Sequence, residues 1–96
     1  METKVTVIVD LELSFKSITE IASLIYQDMR VTGFRKKPSF QYCAPYLDAM
    51  TCLSNVSDTY GADSGRSVVA YFLGNVQQWK GETAKAIKKE LNKRIK

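Results

Sequence analysis

The sequence predicts an α+β fold in one small domain, residues 1–96: a long N-terminal β-strand followed by four α-helices, with the strand paired to its copy across a homodimer. Three observations carry this expectation. Val5, Val7, Val9, Leu11, Leu13 and Phe15 are apolar at every second position, which is the period of a strand with one buried face. Ser17-Ile18-Thr19-Glu20 has the form of a capping box, and Ile18, Ile21, Ala22, Ile25 and Met29 follow it at helical spacing. Finally, Tyr60–Lys80 is the most apolar long segment in the chain. Val68, Phe72 and Val76 recur there every fourth residue, and Val69, Leu73 and Trp79 widen the stripe. That density predicts a central helix with neighbours on more than one side.

Along the strand, Lys4, Thr6, Asp10, Glu12 and Ser14 take the alternate positions, with Ile8 the exception. Extended, the stretch measures about 36 Å, longer than a typical strand. The only partner within the chain is a short alternation at Ser39–Cys43, so pairing with the same strand of a second copy, through Val5, Val7, Val9, Leu11 and Leu13, is the expectation. The first helix ends at Gly33, since glycine accepts the left-handed conformation that closes a helix. Arg35, Lys36 and Lys37 form a basic loop before Pro38. A second helix is predicted from Pro45, where proline fits the first position, with Tyr46, Ala49, Met50, Leu53, Val56 and Tyr60 on its inner face and Gly61 as its stop. The third, over Ser64–Gln78, is capped by Asp63 or Ser64 and is about 22 Å long. Gly81 separates it from a fourth, in which Ala84, Ile87, Leu91 and Ile95 make a narrow apolar stripe between lysines.

Composition excludes several function classes. The chain contains no histidine, which removes the commonest general base and the usual zinc ligand; no catalytic residues, metal ligands or cofactor are expected. No apolar run is long enough to span a membrane. The first residues do not have the form of a signal peptide: Lys4 is the only basic residue before the apolar run, which Asp10 and Glu12 interrupt. Cys43 and Cys52 do not make a disulfide framework, and both are expected as small buried apolar residues in a reducing cytosol. On one helix they would stand about 13 Å apart, too far to bridge. Asp58 and Asp63, which flank the Tyr60-Gly61 turn, read as a surface residue and a cap rather than a cation site.

Charge points to a partner. Residues 1–78 hold seven basic residues against eight acidic ones; residues 79–96 hold seven against two. Lys80, Lys85, Lys88, Lys89, Lys93 and Arg94, supported by Arg35, Lys36 and Lys37, are therefore the candidate contacts to nucleic-acid phosphates or another acidic partner. No aromatic residue is interleaved with these lysines, so backbone contact is favoured over base stacking. Trp79 and Tyr71 are read as core residues. A second candidate is Ser64-Gly65-Arg66-Ser67, where small residues, hydroxyls and an arginine stand at a helix N-terminus with the character of an anion site. It lacks the Gly-Lys-Ser/Thr ending of a Walker loop.

From Pro45 onward, PYLDAM, YGADSGRSVVAYFLGN and WKGETAKAIKKEL resemble small proteins carried by tailed bacteriophages and prophages, over about residues 45–92. The most specific part is the Tyr-Gly-x-Asp-Ser-Gly turn running into the apolar helix, with a tryptophan near its end. The resemblance implies a setting, an accessory protein of a phage or mobile element in a bacterial cytoplasm, and no functional residues. Two functions fit: nucleic-acid binding through the basic helix, or inhibition of a host enzyme by protein contact, of the anti-defence or anti-CRISPR type.

Overall fold

Residues 13–96 are described by the computed structural model, and they form four α-helices, one 3₁₀ turn and one two-stranded hairpin. Helix α1 spans Ile18–Thr32, and its capping box is complete. The Glu20 amide donates to Ser17 Oγ at 3.1 Å, and the Ser17 amide donates to the Glu20 carboxylate at 2.8 Å. That backbone bond, followed by the hydroxyl of Ser17, holds the Glu20 carboxyl below its ordinary pKa. Gly33 closes the helix in the left-handed conformation at φ 82°, as its position in the sequence predicts.

The 3₁₀ turn Phe34–Lys36 leads into α2, Phe40–Met50, which begins five residues before the predicted start. The expected strand at Ser39–Cys43 is therefore helical. Its first turn is wound by the amides of Phe40, Gln41 and Tyr42 donating three residues back, to Lys37, Pro38 and Ser39. Pro45 sits inside the helix, where it deprives one carbonyl of a partner. Burial outweighs that loss: Cys43, Leu47 and Met50 share one face and are fully buried. The helix stops at Met50 rather than at Gly61 because the next residues bond locally. The Asp58 carboxylate accepts from the amides of Ser54 and Asn55, and Asn55 Oδ1 accepts from the Ser57 amide. The Ile18 amide and the Thr19 hydroxyl, donating to the carbonyls of Ser54 and Leu53, pin this winding segment to the start of α1.

Strands β1, Thr59–Tyr60, and β2, Asp63–Ser64, pair antiparallel around Gly61, whose φ of 61° the turn requires. Helix α3, Gly65–Gly74, packs against α2 on one side and against α4, Glu82–Ile95, on the other. It is the central helix that its apolar density predicts, but it ends at Gly74. Past it, Val76 and Trp79 reach the core from an irregular connection, Trp79 edge-to-face with Phe72 at 6.2 Å.

These residues overturn the α+β expectation: the fold is mostly helical, and the one sheet among the described residues is the hairpin at 59–64. Of the predicted strand, Val5, Val7, Val9 and Leu11 lie outside the described residues. Leu13 is fully buried, whereas Phe15 is 89% exposed, so the two do not share a face. The Lys16 amide donates to the Leu13 carbonyl at 3.1 Å and closes a turn there. Leu13 is thus committed to the core of its own chain, not to a strand shared between two copies.

The cysteines also part company. Cys43 is buried, which pushes its thiol pKa up to about 11, and Cys52 is exposed, against expectation. In the native protein one thiol is expected to react promptly with a disulfide reagent at pH 8 and the second only after unfolding. Two fast equivalents would contradict this packing.

Candidate nucleic-acid interface

Helix α4 sorts its basic residues by register. Ala84, Ala86, Ile87 and Leu91 are buried against α1 and α3. Lys85, Lys89, Lys93 and Lys96 recur on the opposite, exposed side. With a rise of 1.5 Å per residue, successive members of the Lys85–Lys89–Lys93 series stand about 6 Å apart along the axis. One strand of duplex DNA offers two phosphates in about 6.8 Å of axis.

Two predicted contacts do not belong to this stripe. The Lys88 ammonium donates to the Val76 carbonyl at 2.7 Å and to the Trp79 carbonyl, and lies 5.7 Å from the centre of the indole ring. Burial, and then the charge of Lys80, lowers its pKa. Lys88 is a staple that holds the connection 75–81 against α4. Arg94 bonds Glu90, itself nearly buried, at 2.7 Å and donates to the Leu13 carbonyl at 2.6 Å. It fastens residue 13 to the end of α4. Sequence spacing hid both roles, because the backbone carbonyls these side chains bond lie 9 to 81 residues away; only the pairing of Arg94 with Glu90 has a local spacing.

The structure does bring the Arg35–Lys37 loop to the head of the stripe. Lys37 and Lys80 line one cavity of about 240 Å³ together with Thr32, Phe34, Gln78 and Trp79. A second cavity, of about 350 Å³, shares Trp79 and Lys80 with the first and is lined further by Gly81, Glu82, Lys85 and Lys88. Arg35 lies 5.8 Å from the ring centre of Tyr26, whose hydroxyl donates to Asp48. Burial, followed by the bond to Asp48, raises that hydroxyl's pKa to about 12. Lys36 is exposed beside it. Trp79 is a core residue, as predicted; Tyr71 is exposed and stacks on Tyr46 at 5.5 Å.

At Ser64–Ser67 the donors that make a helix N-terminus attractive to an anion are already engaged. The Gly65 amide donates to the Asp58 carbonyl at 2.6 Å, the Arg66 amide to the Val56 carbonyl at 3.0 Å, and the Ser67 amide to Ser64 Oγ at 3.1 Å. Arg66 Nε is turned to the Ile95 carbonyl at 3.1 Å. Gly65 is needed for close approach: a Cβ there would stand 3.0 Å from the Asp58 and Val56 carbonyl oxygens and 3.1 Å from that of Asn55. Gly65→Ala is therefore expected to lower stability by about 1–3 kcal/mol. An unchanged urea midpoint would show that this corner yields freely.

Among the described residues no helix is long and apolar enough to cross a membrane, and no three or more Asp, Glu or Cys side chains gather as a metal site. No family model matches the chain, and no curated protein or solved structure matches it.

Proposed function

We propose that this is a non-catalytic accessory protein that binds the phosphate backbone of nucleic acid through the exposed lysines of α4 and the basic loop at their head. The observation that carries the reading is the alignment of Lys85, Lys89, Lys93 and Lys96 on one exposed face, with Lys80, Lys37 and Lys36 continuing the charge beyond the helix start. Lys93 pairs with Glu90 at 3.8 Å, a long contact exposed at its lysine end, and Glu82 stands at the head of the stripe beside Lys80 and Lys85, so lysines outnumber carboxylates along this face. Lys88 and Arg94 act behind it as supports. The resemblance of residues 45–92 to small phage and prophage proteins supplies the setting, a phage or mobile element in a bacterial cytoplasm.

Binding to short duplex DNA, single-stranded DNA and RNA at two salt concentrations tests the reading. Affinity that falls steeply with salt supports it, and the slope counts the phosphates neutralised. No binding at low salt sinks it.

A second reading, a protein-binding inhibitor of a host enzyme, draws on a different face. Tyr42, exposed, lies one turn before Tyr46, which stacks on the exposed Tyr71; tyrosines at a surface are typical of protein interfaces. Capture of a host protein that survives nuclease treatment and is lost in Tyr42→Ala/Tyr71→Ala would favour it.

A further inference from the structure

We infer that the cleft between Lys37 and Lys80 binds a phosphate monoester, the terminal phosphate of a nucleic-acid strand or a free nucleotide. The choice of strand end as the first source rests on the backbone-binding reading above; the phosphate chemistry does not.

The lining is the first argument. Lys37, Lys80, Gln78 and Thr32 line a cavity of about 240 Å³, and no Asp or Glu is among the residues around it. The side chains of Lys37, Lys80 and Gln78 make no hydrogen bond or ion pair among the described residues, and Thr32 makes only a long one, 3.5 Å, to the Met29 carbonyl. Donors gathered from elements more than forty residues apart in sequence, with no Asp or Glu in the lining to neutralise the two lysines, suit an anion.

The walls are the second argument. Trp79 and Phe34 are 1% and 2% exposed, so they bound the cleft without offering a free ring face on which a base could stack. Trp79 is held at two points: its indole Nε1–H donates to Asp28 at 2.9 Å, and Lys88 donates to its backbone carbonyl. The backbone of Lys37 is held at the end of the 3₁₀ turn, its amide donating to the Phe34 carbonyl at 3.0 Å. The cleft is thus partly built in advance.

Charge decides the ligand class. An internucleotide diester carries one negative charge, whereas a monoester carries about 1.5 to 2 at pH 7. Two lysines match the second. Lys80 also lies close enough to Lys88 to lower its pKa, so this corner holds like charges together that a dianion would relieve. The cleft stands just before α4, where a strand lying along Lys85, Lys89 and Lys93 would bring its end.

The test uses the full chain, wild type and Lys37→Gln/Lys80→Gln. A duplex with 5′-phosphate ends is compared with the same duplex bearing 5′-hydroxyl ends. Trp79, the only tryptophan, serves as a fluorescence reporter for titrations with inorganic phosphate, a nucleoside 5′-monophosphate and the parent nucleoside. The phosphorylated duplex is expected to bind about tenfold tighter, and the preference to vanish in the double variant at an unchanged unfolding temperature. A saturable response to the monophosphate and not to the nucleoside, lost in the same variant and without any end preference, supports the phosphate site with a free nucleotide as its source. That outcome stands even if no duplex binds and the backbone reading falls. Equal affinity for both duplexes together with no response to monophosphate or phosphate overturns the inference, and salt-dependent binding of the hydroxyl-ended duplex would still uphold the backbone reading.

Discussion

Replacing Lys85, Lys89 and Lys93 together with glutamine is expected to weaken duplex binding by about a hundredfold or more near 50 mM salt, and to reduce the slope of log K against log salt by about 3. Each of the three is exposed, and none of their ammonium groups donates a hydrogen bond among the described residues. Lys93 gives up a long, solvent-screened pairing with Glu90, worth little to the fold. The unfolding midpoint should therefore stay close to that of the wild type. Lys88→Gln with Arg94→Gln is the contrasting pair. These side chains cap carbonyls of Val76, Trp79 and Leu13 and neutralise Glu90, so their loss is expected to cost about 1–3 kcal/mol each in stability. Their effect on affinity, corrected for the fraction folded, should be small. Should the first variant bind as the wild type does, the lysine face is a solvated surface and the protein-partner reading takes its place.

Trp79→Ala is expected to remove most of the stability of the domain. The side chain is 1% exposed, packs edge-to-face on Phe72, is bonded to Asp28 and lies beneath Lys88. Truncating a buried tryptophan costs about 3–5 kcal/mol, and domains of this size have on the order of 5–15 kcal/mol in total. The damage should extend to both cavities, since Trp79 lines each of them. Urea unfolding followed by far-ultraviolet circular dichroism measures the loss; a shift below about 1 kcal/mol would mean that the connection 75–81 contributes little to the core. Trp79→Phe should fall between the two, keeping a ring against Phe72 and losing the donor to Asp28.

What was readable in the chain is local. The capping box at Ser17, the stop at Gly33, the break at Gly81 and the apolar density of Val68–Phe72 all act within a turn or two of their own position, and each is where its spacing puts it. What tertiary structure decided is every choice between competing local options. The alternation that ends at Leu13 and Phe15 also fits a turn with one buried residue, and the Arg94 bond to the Leu13 carbonyl favours that alternative. Pro45 marks a helix start by propensity, yet the burial of Cys43, Leu47 and Met50 against the other helices extends α2 past it. In the same way, Lys88 and Lys89 are adjacent and chemically identical, and one holds the fold while the other faces solvent. Their difference is a 100° rotation about the helix axis, which has meaning only once Val76 and Trp79 have been folded against that side.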